Sequence, residues 1–275
     1  MSPRSDRRTF LKTAVAATSG ASLLRMPAPF AAAAPSEAKW SSLFDDNSLD
    51  GWHKNPNKIG HGTSGIWRVE DGAIVREQDP LGSGNGGILL NDEKFGDFEL
   101  MIDMKPDWVC SGLFLRGNDS GQCFQMMVDF HNTGNVGHLH GEGTTGFNTR
   151  TFDINGEYDD AKNLVGISTA NHKPASDAGL IHSCTPEEWI AAWKVNDWNA
   201  AKVRVEGKCP KITTWINGLK VCEFDGINAT TERSDKEGIA EKLGTEGSIV
   251  VQVHGGTGWP KGAKCRRKNI KARAL

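Results

Sequence analysis

The chain has 275 residues, with 32 Lys and Arg against 34 Asp and Glu and a formal net charge of −2. Without residues 1–34, which read as a leader, 27 basic side chains face 33 acidic ones. That balance argues against a nucleic-acid partner, whose phosphates are bound mainly by cations, and about 240 residues remain for one large domain.

In chain order, the first element is the leader. Arg7-Arg8, followed by Phe10-Leu11-Lys12, resembles the twin-arginine export motif, and a mildly apolar run over residues 13–24 follows. Ala31 to Ala34 suit a small-residue cleavage site, so the mature chain is expected to begin between about Ala32 and Glu37. The apolar run is shorter than the roughly 20 residues a spanning helix needs, and no Cys follows it closely. A periplasmic or secreted protein without a stable membrane anchor is expected.

Beyond the leader, short alternating segments are separated by turn signals. Residues 67–70 and 73–75 flank Asp71-Gly72 as a tight hairpin. Phe98, Leu100, Ile102 and Met104 form one apolar strand face. Val203 and Val205 mark another strand, and residues 211–216 pair with 219–224 through Asn217-Gly218, setting Cys222 opposite Thr213. Residues 248–255 and 269–275 complete the set. This pattern predicts an all-β, two-sheet antiparallel sandwich over residues 40–275. Residues 147–195 read as a long loop insertion holding one short helix, Pro186 to Trp193, capped by Thr185. Residues 230–245 read as a second excursion. Six Cys in an exported chain permit disulfides in 15 connectivities, though buried free thiols are as compatible with their spacing.

The chemistry concentrates between Gly112 and Glu142. Phe124, Met126, Val128 and Phe130 alternate with Gln125, Met127, Asp129 and His131, so one strand face is apolar and the other polar. Gly112 to Arg116 is a short strand ending in an arginine. His138, His140 and Glu142 fall at i, i+2 and i+4, one face of an extended chain. Far downstream, Gln252 and His254 alternate with Val251 and Val253. Such a face suits a ligand floor.

Taken in order, these segments resemble the 3-keto-disaccharide hydrolase family, once known only as a domain of unknown function. The matching text includes residues 42–52 (SLFDDNSLDGW), 67–72 (WRVEDG), 95–100 (FGDFEL), 111–117 (SGLFLRG), 215–218 (WING) and 247–255 (GSIVVQVHG). Two places depart from the family pattern. With the aromatics aligned, Phe124-Gln125-Met126-Met127 stands where many members have Tyr-Glu-x-Gln; with Gln125 aligned instead, Cys123 takes the place of the Glu, so the carboxylate is lost either way. Lys268-Asn269-Ile270 replaces Arg-Asn-Ile.

The resemblance implies a concanavalin-like jelly roll with a carbohydrate site on its concave face. It also implies cleavage of 3-keto-glycosides, by elimination and hydration in some members and with a divalent metal in some. A C3 ketone acidifies the C2 proton, so the site needs a base, an oxyanion donor and an acid. His254, His138 and His140 are the candidate base and acid, and Arg116 the candidate oxyanion or hydroxyl clamp, with a structural ion pair to Asp129 as its alternative. Gln125, Asp129 and Gln252 suit hydroxyl recognition. Trp108, Trp193 and Trp259 are candidate sugar platforms, while Trp52, Trp67 and Trp215 suit the core. His138, His140 and Glu142 are candidate metal ligands, with Asp129 and His131 as additional ones. A non-catalytic carbohydrate-binding module remains the alternative, because the same sandwich holds sugars without cleaving them.

Overall fold

The computed structural model describes residues 39–275 except 64, 109–110, 132, 175–177, 231–234 and 257. The leader and Cys110 therefore lie outside the described residues. The strands in chain order are β1 (Ser41–Ser42), β2 (Trp52–Lys54), β3 (Ile66–Glu70), β4 (Ala73–Glu77), β5 (Gly87–Phe95), β6 (Phe98–Pro106), β7 (Leu113–Gly117), β8 (Cys123–Val128) and β9 (Val136–Glu142). They continue as β10 (Phe152–Tyr158), β11 (Leu164–Asn171) and β12 (Leu180–Ser183), then helix α1 (Pro186–Ala192). The last elements are β13 (Asn199–Glu206), β14 (Lys211–Ile216), β15 (Leu219–Asp225), helix α2 (Lys236–Leu243), β16 (Gly247–Val253) and β17 (Cys265–Ala274).

Alternation builds the sandwich. In β6, Phe98, Leu100, Ile102 and Met104 are buried while Met101 is exposed, so the strand offers one face to the interior. Its sheet has nine strands, in the order β12-β15-β14-β13-β6-β17-β4-β3 with β1 on β17. Opposite lies a six-stranded sheet, β2-β5-β16-β7-β8-β9. All named pairings are antiparallel, and the fold is the expected jelly-roll sandwich. Leu89, Leu113, Leu115, Met126, Ile249 and Val251 of the smaller sheet join the residues of β6 in a single core. The opposite face of that smaller sheet carries a separate apolar cluster, Ile88, Leu90, Phe114, Cys123 and Val250. Polar side chains continue that face.

Several details differ from expectation. A bulge between Thr214 and Trp215 sets Cys222 opposite Thr214, not Thr213, because one extra residue on β15 shifts the register. Residues 147–195 hold more than a loop: β10 and β11 pair as a two-stranded sheet, and β12 adds an edge strand to the large sheet. Within this stretch α1 starts as expected, with a Thr185–Glu188 capping box. Residues 230–245 contain α2. Cys123, Cys184, Cys209, Cys222 and Cys265 are free thiols. No described helix is long and apolar enough to cross a membrane.

Arg116 belongs to this framework. Strand alternation would send its side chain out beside Phe114. Its left-handed backbone (φ 51°), beside the bulge between Ser248 and Val250, turns it elsewhere. The buried guanidinium donates to Gly96 O from Nε (3.0 Å) and Nη2 (2.9 Å), to Gly207 O (2.9 Å) and to Asp97 Oδ1 (3.0 Å). It thus ties the β5–β6 turn to the β13–β14 turn, and the expected oxyanion role is corrected to a structural one.

Candidate functional site

The floor of the site is a pair of amides. Gln252 lies opposite Ile88, and Gln125 lies opposite both Phe114 and His140. All therefore share the outer face of the six-stranded sheet. Gln125 Nε2 donates to Gln252 Oε1 at 3.2 Å. The crossing needs a glycine beneath it, since a Cβ on Gly112 would sit 2.1 Å from Gln125 Nε2.

Beside the floor stand three histidines and a carboxylate. His61 Nε2 lies 3.2 Å from Glu142 Oε1, and His140 Nε2 lies 3.8 Å from Glu142 Oε2. The rings of His61 and His254 have centroids 5.1 Å apart. His61 comes from the segment before β3, held on the sheet by Asn55, which exchanges hydrogen bonds with Ile88 and donates to Gly62 O. Close approach of the two histidines again requires a missing side chain: a Cβ on Gly255 would meet His61 O at 2.6 Å. Behind them Gln78 donates to His254 O (3.1 Å) and accepts from Gly84 N and Trp259 N (3.0 and 2.9 Å), fixing the backbone that carries the imidazole.

Electrostatics separate these groups into roles. Burial lowers the His254 pKa below its ordinary value of 6.5, and the charge of His61 pushes the same way, against opposing effects of Gly255, Asp129 and Glu142. His254 is therefore neutral near pH 7, as a base must be. Burial alone would raise the Glu142 carboxyl. The hydrogen bond from His61, with the charges of His61, His140 and His254, nevertheless holds it below its ordinary value. Glu142 is thus an anion framed by imidazoles.

The face continues past Met127, which sits at a bulge in β8 and takes a long contact from Asn148 Nδ2 (3.8 Å). Asp129 accepts the His131 backbone N–H at 2.9 Å and also bonds its ring. That ring bond raises the His131 pKa against the effects of burial and of Arg150. Trp108 and Tyr158 pack with centroids 4.2 Å apart. Burial, with smaller effects of Cys265 and Asp129, pushes the Tyr158 phenol far above its ordinary value. The indole N–H of Trp108 and the hydroxyl of Tyr158 are both buried without a partner among the described residues.

Gln125, Gln252 and His254 are thus brought together as expected, with Asp129 electrostatically coupled to His254. His138 is not among them. Gly137 (φ 103°) packs against Val221 of the large sheet, and its carbonyl accepts Thr214 Oγ1 at 2.6 Å. His138 turns inward with it. Its Nδ1 and Nε2 each lie 2.9 Å from an oxygen, Asn135 Oδ1 and Ser183 Oγ respectively. With both ring nitrogens engaged inside the protein, His138 serves neither as catalyst nor as metal ligand. Among the described residues no group of three or more His, Cys, Asp or Glu is arranged to hold a metal ion, so the His138–His140–Glu142 ligand set is corrected.

Trp259 and Trp193 are core residues, 4% and 8% exposed, and offer no free face to a sugar. Trp52 and Trp67 are core as expected, whereas Trp215 lies partly exposed beneath Lys202. Trp108, partly buried against Tyr158, is the remaining candidate platform. His61 was not anticipated. It stands alone between Gly60 and Gly62, outside any alternating strand, and only the fold brings it to Glu142.

An antiparallel sandwich with a face of amides, imidazoles and a carboxylate has the architecture of a carbohydrate-active protein. The chain belongs to the 3-keto-alpha-glucoside-1,2-lyase-like domain family, whose profile matches residues 39–273. No curated protein matches it. Among solved structures, it is similar to a provisionally assigned glycosyl hydrolase from Parabacteroides distasonis ATCC 8503 (18% identity, TM-score 0.48, 86% of this chain and 100% of that one). It is also similar to a β-glucanase of Bacillus licheniformis (11% identity, TM-score 0.47, 88% and 100%). A third is the carbohydrate-binding module CBM66 of Bacillus subtilis (13% identity, TM-score 0.44, 82% and 96%).

Proposed function

We propose that this protein is an exported enzyme that cleaves 3-keto-glycosides by elimination and hydration. The observation that carries this reading is the cluster of neutral His254, His61 and anionic Glu142 beside the amide floor, in a chain of this family. His254 takes the C2 proton, and the electron pair of the C2–H bond moves onto the ketone as an enediolate. Gln252 and Gln125 hold the sugar oxygens. The C1–O bond then breaks as His61, oriented by Glu142, gives a proton to the leaving oxygen. Water adds across the resulting C1=C2 bond, returning a proton to C2 and a hydroxyl to C1.

The mature protein is expected to cleave 3-keto-glycosides and to leave the parent glycosides intact, because only the ketone acidifies C2. In D2O, recovered 3-keto sugar should carry deuterium at C2 above the level of spontaneous exchange. An unlabelled C2 rejects the elimination route in favour of direct displacement. Saturable binding without turnover of any 3-keto-glycoside makes the protein a carbohydrate-binding module instead.

Export rests on the leader sequence, Arg7-Arg8 with Phe10-Leu11-Lys12. Replacing both arginines by lysine should leave the precursor unprocessed in the cytoplasm. Undiminished periplasmic protein from that variant refutes the twin-arginine reading.

A further inference from the structure

Two arginines lie under the floor of the site with no acid among the described residues to balance them. Arg76 on β4 faces Cys265 on β17, and Arg267 faces Ile74. Side chains two apart on a strand share a face, so both arginines enter the interior with Ile74 and Cys265, and both are fully buried. The ionisable groups acting on them are Cys265 and, for Arg267, Arg76 itself. Apart from the Cys265 thiol beside Arg76, Arg76 Nε and Nη1 and Arg267 Nε have no hydrogen-bond partner among the described residues. Burying charge this way is costly, and an apolar pair of similar size would serve packing at least as well.

What both arginines grip is one peptide group. Arg267 Nη2 donates to Ser111 O at 2.9 Å and to Ser111 Oγ at 3.2 Å, and Arg76 Nη2 donates to Ser111 O at 3.3 Å. The N–H of that same peptide, on Gly112, donates to Gln252 Oε1 at 3.0 Å. An N–H can be met only by an oxygen, so this contact fixes the orientation of the Gln252 amide. Its Nε2 is left buried with no partner among the described residues. The donors thus run in one direction, from two guanidiniums through a peptide and a side-chain amide to the buried Nε2–H of Gln252, which has no partner among the described residues.

We propose that Arg76 and Arg267 are positioning residues that, through the Ser111–Gly112 peptide, orient and polarise Gln252 Nε2–H as the donor to the oxygen gaining negative charge in the reaction. This rests on the 3-keto-glycoside reading for the identity of that oxygen, and on the hydrogen-bond geometry for the relay. Chains of hydrogen bonds strengthen one another in a low-dielectric interior, and a preorganised oxyanion donor contributes about 10² to 10³ in rate. The glycines at 112 and 255 let the relay and the histidines meet on one face.

The test compares Arg267→Gln, which removes the charge, with Arg267→Lys, which keeps it, using kcat, KM and proton–nitrogen NMR of the substrate-free protein. In Arg267→Gln, kcat should fall about tenfold or more while KM stays within about twofold. The Gly112 amide and the Gln252 side-chain amide protons should move upfield together. Arg267→Lys should recover most of both readouts. If Arg267→Gln does not fold, Arg76→Gln, which loses the longer contact, is measured in the same way. Folded charge-removed variants with unchanged Gly112 and Gln252 resonances, or with unchanged kcat, overturn the relay. The resonances need no substrate, so a wild-type protein without turnover defeats the enzymatic reading while the coupling is still measured.

Discussion

His254→Ala should lower kcat on a 3-keto-glycoside by about 10² or more, the usual contribution of a positioned proton-transfer group, with the fold retained. The side chain is half-buried at the end of β16, and its backbone stays anchored by Gln78, so little packing is lost. The wild-type pH profile provides a second check. Burial first, then the charge of His61, lowers the His254 pKa, so kcat/KM should rise with pH along an acidic limb centred below 6.5. The Glu142 charge opposes that lowering. Glu142→Gln should therefore move the acidic limb to still lower pH, besides reducing the rate by loosening His61. A limb that moves upward in Glu142→Gln excludes His254 as the base. Arg116→Ala is the contrasting control. It removes the donors that hold Gly96, Asp97 and Gly207, so its effect should be a loss of about 3 kcal/mol or more in stability, with activity per folded molecule retained.

The contrast between His254 and Arg116 shows what a sequence can carry. Gln125 and Gln252 were legible because they sit on strands, and His254 because it directly follows one, where a period of two assigns each side chain to a face. Arg116 and His138 obey the same arithmetic in sequence and break it in structure. One residue with a left-handed backbone at Arg116, and Gly137 beside the irregular pairing of β8 with β9, redirect the two side chains. A bulge adds a residue without leaving a distinctive mark in composition, so neither change could be read beforehand. His61 fails for the opposite reason. It lies on no strand, and its partner Glu142 is 81 positions away. Arg76 and Arg267 were invisible as a pair because β17, nearly 200 positions downstream of β4, becomes its neighbour only by inserting between β6 and β4. The jelly roll itself was legible because it depends on many alternating segments, any one of which can be irregular without changing the layer plan.

The inward turn of His138 has an acid-stability consequence about as large as any side chain here can give. Its environment fits a neutral ring. Asn135 donates its amide to Phe152 O at 2.8 Å, so its oxygen is the atom facing His138 Nδ1. The proton therefore sits on Nδ1, and Nε2 lies 2.9 Å from the Ser183 hydroxyl oxygen. Burial, with a smaller effect of His182, lowers the His138 pKa from 6.5 to about 3. In the unfolded chain the same ring protonates near 6.5. Between these values the unfolded state binds one more proton than the native state, so stability falls as pH falls. The loss from this group begins near pH 6.5, proceeds at about 1.4 kcal/mol per pH unit, and reaches about 4 kcal/mol near pH 3. Urea unfolding of wild type and His138→Gln at pH 4 to 6 should therefore give curves whose separation changes by about one proton's worth per pH unit. His138→Gln, though weaker at pH 7.5 because the Asn135–His138–Ser183 contacts are disturbed, should lose less on acidification. Parallel pH dependences for the two proteins would rule out a neutral, buried His138 as the source. His254, whose pKa is also lowered by burial, adds acid sensitivity of the same sign in both proteins and cancels from the comparison.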